Sequence, residues 1–140
     1  MIDVIPARAE MAAMFRLQTT QQALSHLADE ATLAHAIENG IAMAVVDGPR
    51  ILAIGGVMRL WEDRGNAWGL LSDDIGAAMP VIHKTVARVL TSSPLSRIEA
   101  QVAVGHEAGQ RWVRLLGFKH EGRMAAFWQG QDYDLFARVR

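Results

Sequence analysis

Apolar positions change period along this chain, and the changes divide it into elements. Ile2 to Ile5 is a short apolar run closed by Pro6, the pattern of an edge strand, and the Ala- and Met-rich stretch from about Arg8 to Leu17 follows as a helix. Thr19 or Thr20 can cap a second helical stretch with Leu24 and Leu27 inward. Asp29 can cap a third with Leu33, Ala36 and Ile37 inward, ended by Asn39-Gly40. The period then falls to that of strands. Ile41 to Val46 is continuously apolar, Asp47-Gly48-Pro49 is a turn, Ile51 to Trp61 is a long strand, Asp63-Arg64-Gly65-Asn66 a second turn, and Ala67 to Leu71 a third strand. Gly55-Gly56 inside the long strand reads as a bulge or bend rather than a ligand site.

Helical spacing returns with Ile82, Val86, Val89 and Leu90 on one face, stopping before Ser92-Ser93-Pro94, and Arg97 to Val104 is a further strand. His106 to Gly117 is a short amphipathic helix with Ala108, Trp112, Leu115 and Leu116 at helical spacing, and Gly117 is placed for the left-handed residue that ends it. Phe118 leads into two closing strands, about Lys119 to Trp128 and Tyr133 to Val139. Helices before, between and after a mostly antiparallel sheet indicate an α+β fold.

The order of elements and the segment His106-Glu107-Ala108-Gly109-Gln110-Arg111-Trp112-Val113-Arg114-Leu115-Leu116-Gly117-Phe118 resemble the GNAT superfamily of N-acetyltransferases. There a strand leads into an Asn-x-x-Ala-x-x-(apolar)-Tyr-x-x-x-Gly-Phe helix and then a closing strand pair. Gly117-Phe118 match, Trp112 takes the apolar position, Gly109 replaces Ala, His106 replaces Asn, and Val113 replaces the Tyr that in many members can protonate the leaving thiolate. The segment is also similar to small GNAT-like proteins of bacteriophages. The resemblance implies a mostly antiparallel, mixed central sheet flanked by helices, spanning residues 1–140 as one domain.

For function, the resemblance implies acetyl-CoA as cofactor and direct acetyl transfer to a primary amine of a small molecule or protein. In the family, a Gln/Arg-x-x-Gly-x-Gly/Ala loop brings backbone N–H groups to the cofactor pyrophosphate at a helix N-terminus. The register that fits is Asp73-Asp74-Ile75-Gly76-Ala77-Ala78, with Gly76 and Ala78 matching and two carboxylates added. Cofactor-contacting candidates are therefore Leu71, Ile75, Gly76, Ala77 and Ala78, with Lys84 or Arg88 nearby and Arg111 for the adenosine phosphate, the other reading of Arg111 being a solvated helix face. The other reading of the acidic pair is helix capping. Candidate bases are Glu62 (with Asp63) at a strand turn, Asp73, and His106; the other reading of each is a solvated turn or a polar helix start. With Val113 at the tyrosine position, protonation of the thiolate falls to water, His106 or Tyr133.

Composition narrows this picture further. A length of 140 residues suits one core, and a hydrophobic fraction of 51% with 21% charged residues is that of a globular chain without a membrane-length apolar run. A formal charge of -1 removes the footprint of a dedicated nucleic-acid binder. No cysteine is present, which excludes disulfides and a thiolate nucleophile, and the five histidines show no metal spacing. The opening residues carry no basic segment leading an apolar one, so a cytoplasmic location is expected. Four tryptophans read as core packing, with an aromatic pocket or partner surface as the alternative. A homodimer is an expectation of the resemblance alone. A second reading of the whole, motivated by Val113, Asp73 and Asp74, is a catalytically inactive GNAT-like protein that works through protein contacts, such as a phage virion or accessory protein.

Overall fold

The computed structural model describes residues 1–18, 21 and 29–140; the second helical stretch expected after Thr19 lies outside them. The elements are β1 (Ile2–Pro6), α1 (Glu30–Glu38), β2 (Gly40–Asp47), β3 (Arg50–Trp61), β4 (Arg64–Leu71), α2 (Met79–Ser92), β5 (Arg97–Ala103), α3 (Glu107–Leu115), β6 (Lys119–Trp128) and β7 (Gln131–Val139). Short 3-10 helices cover Ala9–Met14 and Asp73–Ala78. The strands form a seven-stranded mixed sheet in the order β1-β2-β3-β4-β5-β7-β6, with β4 and β5 parallel. This is the expected α+β architecture.

By its internal contacts the chain forms two compact units. The first comprises Met1–Met58 and Trp68–Ser93. Its core gathers Ala7, Met11, Leu33, Ala42, Ala44, Ile51 and Ile54, with Trp68 packed against them. Asp29 caps α1 by accepting from the Thr32 N–H at 2.7 Å, which turns Leu33 and Ala36 inward. Residues 8–17 do not form the expected helix. A 3-10 turn forms instead, without a side-chain cap at Arg8, and buries only Met11.

The expected bulge at Gly55-Gly56 is also displaced. Both glycines stay in register, opposite Met43 and Ala42, and the irregularity falls between Val45 and Val46. The glycines serve close approach instead. A Cβ on Gly56 would lie 1.9 Å from the Ile41 carbonyl oxygen, and one on Gly55 would lie 2.8 Å from that of Trp68.

The second unit comprises Arg59–Ala67 and Pro94–Arg140. Here the turn expected over residues 63–66 is shorter, because Arg64, Gly65 and Asn66 pair with Arg97, Ile98 and Glu99 of β5. Glu62 and Asp63 alone make the turn. The Asp63 carbonyl accepts from the Ser96 and Arg97 N–H groups at 3.0 and 3.2 Å, fixing the turn to the start of β5.

The inward face of α3 differs from the expected one. Val113 is buried, whereas Leu115 is 74% exposed and Ala108 is exposed. Leu116 ends the helix half-buried, Gly117 takes φ 90°, and Phe118 is buried, as the segment's closing Gly-Phe predicts. The final strand begins two residues earlier than expected, at Gln131.

Candidate functional site

In the first unit the loop after β4 is organised by Ser72. Its hydroxyl accepts from the Asp74 N–H at 3.1 Å and the residue is buried, so the cap is Ser72 and not an aspartate. Asp73 and Asp74 are exposed on the first turn. The chain kinks at Gly76, where φ is 40° and ψ is -123°, a conformation that favours glycine. No atom lies within 4 Å of where a Gly76 Cβ would be, and Gly76 and Ala77 are both exposed. Ala78 is buried and leads into α2 with Pro80 in its first turn. The loop therefore offers an open stretch of backbone at a helix start, and its small residues are where the sequence placed them. Leu71 ends β4, and its N–H donates to the Gln21 Oε1 at 2.8 Å. Lys84 and Arg88 are exposed on α2.

In the second unit His106 precedes α3, three residues beyond the end of β5. Its N–H donates to the Ala103 carbonyl at 3.0 Å and its carbonyl accepts from the Gln110 N–H at 2.9 Å, while its ring makes no capping hydrogen bond. The ring is half-buried, and burial holds the imidazole below the usual histidine range, because desolvation disfavours the imidazolium. Arg111 is exposed on α3.

Glu62 stands at the opposite end of β5 from His106. With the turn tied to Arg97, the seven residues of β5 separate them by roughly 20 Å at about 3.3 Å per residue. The two cannot act on one reacting atom. Val113 lies buried in α3, so that position contributes packing and no proton donor. Tyr133 is buried in β7 opposite Ala103, its ring 5.3 Å from that of Phe127, and burial pushes its phenol up.

Two polar networks were not foreseen from the sequence. Glu99 is 5% exposed and accepts from Arg64 (Nη2 to Oε1, 2.9 Å) and Arg97 (Nε to Oε2, 2.7 Å), and Arg97 continues to Glu121 at 3.0 Å. The Arg64 guanidinium beside it, with that of Arg97, holds the Glu99 carboxyl down at about 2. Asp134, also buried, accepts from the Gln110 Nε2 at 3.1 Å and the Arg123 Nε at 3.2 Å and lies 3.0 Å from the His120 Nε2. The only available signal was an acidic residue within an apolar strand pattern, at Glu99 and at Asp134. The tryptophans divide. Trp68 packs on the core, Trp112 and Trp128 are half-buried, and Trp61 is 60% exposed with the Arg64 guanidinium 4.4 Å over its ring.

The strand order, the parallel β4–β5 pair and the helix with its closing Gly-Phe together define the GNAT acetyltransferase fold. Solved structures agree over the whole chain. A GNAT-family acetyltransferase from Bacillus cereus matches with a TM-score of 0.70 and 15% identity, covering 100% of this chain and 98% of its own. The ribosomal-protein-S18-alanine N-acetyltransferase from Escherichia coli matches with a TM-score of 0.73 and 11% identity, covering 99% and 94%. The ribosomal-protein-S5-alanine acetyltransferase from Vibrio fischeri matches with a TM-score of 0.68 and 15% identity, covering 99% and 92%. No family model matches the sequence, and no curated protein does so. At these identities the agreement is one of fold. Among the described residues no helix is long and apolar enough to cross a membrane.

Proposed function

We propose that the protein is an acetyl-CoA-dependent N-acetyltransferase acting on a primary amine by direct transfer. The observation that carries this reading is the full-length likeness to proteins named as acetyltransferases, one of them an N-acetyltransferase. Further support comes from the open, glycine-kinked backbone at Gly76 and Ala77. Small residues there leave the backbone at Gly76 and Ala77 open to solvent, which suits a pyrophosphate. Acetyl-CoA supplies the thioester whose acyl carbon bonds to the amine nitrogen as its C–S bond breaks. His106, whose partial burial favours the neutral imidazole, takes the proton that the amine loses. The departing thiolate takes a proton from water or from Tyr133. Arg111 serves the adenosine phosphate. Glu62 and Asp73 remain candidate bases, Glu62 only without His106 as partner.

One observation favours a second reading. Val113 is buried and apolar where the family carries its tyrosine, and Asp73 and Asp74 face solvent beside the candidate pyrophosphate loop. A catalytically silent protein working through protein contacts would have these features.

Calorimetric titration of acetyl-CoA separates the two, run with Gly76→Arg and, because φ 40° strains any side chain at residue 76, with Ala77→Glu as a second variant. Micromolar binding lost in both folded variants supports the enzyme. No heat at millimolar acetyl-CoA refutes it.

A further inference from the structure

Gly109 sits inside α3, where glycine lowers helix stability by about 1 kcal/mol relative to alanine. Its φ is not positive, so the backbone does not require it. The space beside it does. A Cβ on Gly109 would lie 2.6 Å from the His106 Nδ1, 3.0 Å from its Cε1 and 3.1 Å from the Val102 Cγ1. Two of these three atoms belong to one imidazole ring.

His106 and Gly109 are also two of the positions at which this helix departs from the Asn-x-x-Ala pattern it resembles. They are one feature, since a ring at 106 requires the methyl at 109 to be absent. We infer that Gly109 is a positioning residue for the His106 imidazole: the missing side chain forms the seat against which the ring lies, with Val102 of β5 as the second wall. With no capping hydrogen bond to hold the ring, its orientation is set by this fit. The catalytic consequence rests on the proposed role of His106 as proton acceptor; the seating itself does not.

The test is a double-mutant cycle with His106→Ala and Gly109→Ala, read by thermal unfolding and by steady-state acetylation. In the presence of His106, Gly109→Ala displaces the ring and lowers Tm. With His106→Ala, the same substitution meets only a Val102 methyl that can shift, and Tm falls less or rises, by about 3 °C at most, as alanine's helix preference gains expression. In the acetylation assay, Gly109→Ala lowers kcat at least tenfold with the KM for acetyl-CoA unchanged, while a merely structural glycine would leave kcat of the folded fraction intact. Equal Tm changes with and without the His106 ring overturn the seating. Coupled Tm changes with an unaltered kcat overturn the catalytic consequence. Coupled changes in a protein that transfers no acetyl group refute the activity and leave the seating supported.

Discussion

Replacing Glu99 by glutamine tests the polar network of β4 and β5. Glu99 is 5% exposed and is the shared acceptor of Arg64 and Arg97. Its carboxyl is held at about 2, against an ordinary value of 4.5. At about 1.4 kcal/mol per pKa unit the ion pairs would be worth about 3 kcal/mol. Both arginines reach solvent and Arg97 keeps Glu121 as a partner, so a loss of about 2 kcal/mol is the better figure. With an unfolding entropy of about 2.1 cal/mol/K per residue, that loss over 140 residues lowers Tm by about 7 °C.

The pH dependence has a definite sign. Because the folded value is depressed, the stabilisation is fully present above the unfolded value near 4.5 and disappears as pH falls toward 2. Thermal melts of the wild type and Glu99→Gln from pH 7 down to pH 2.5 should converge at the acid end. A variant as stable as the wild type at pH 7, or a difference that does not shrink with acid, would refute the reasoning.

Asp134→Asn should also destabilise, since the His120 ring, with Arg123 and Gln110, holds that carboxyl below the usual range; its effect in melts likewise fades as pH drops below the ordinary aspartate value. Gly117→Ala forces a side chain into φ 90° with the Arg138 Nε only 3.3 Å away and should cost about 1–2 kcal/mol in denaturant unfolding. Gly56→Ala places a methyl 1.9 Å from the Ile41 carbonyl oxygen, so β2 and β3 cannot keep their spacing, and loss of soluble folded protein on expression is expected. Trp61→Ala, at a residue 60% exposed, should change stability by less than about 1 kcal/mol.

The strands and α2 were legible in the sequence because their apolar runs are long and their punctuation strong. Asp47-Gly48-Pro49 and Ser93-Pro94 mark real ends. Residues 8–17 misled because alanine and methionine favour helix everywhere, while only Met11 found a place in the core. The face of α3 was misjudged by about one residue because Leu115 looks like a core residue, yet the buried position is Val113. The loop at Ile75 to Ala78 was legible through its small residues. The partners of Glu99 and Asp134 were not, since a side-chain ion pair across 35 residues, as between Arg64 and Glu99, leaves no local trace.

Of the two strands that end the sheet, β6 pairs only with β7 among the described residues and so presents a row of backbone groups to anything that approaches. Its ladder breaks between Met124 and Trp128, where Ala126 takes a positive φ, and also between His120 and Gly122. Lys119, Glu121 and Arg123 alternate in sign along its other half. A foreign strand would find this margin broken in register at two places and carrying charges of both signs, which guards this edge of the sheet against recruiting further strands.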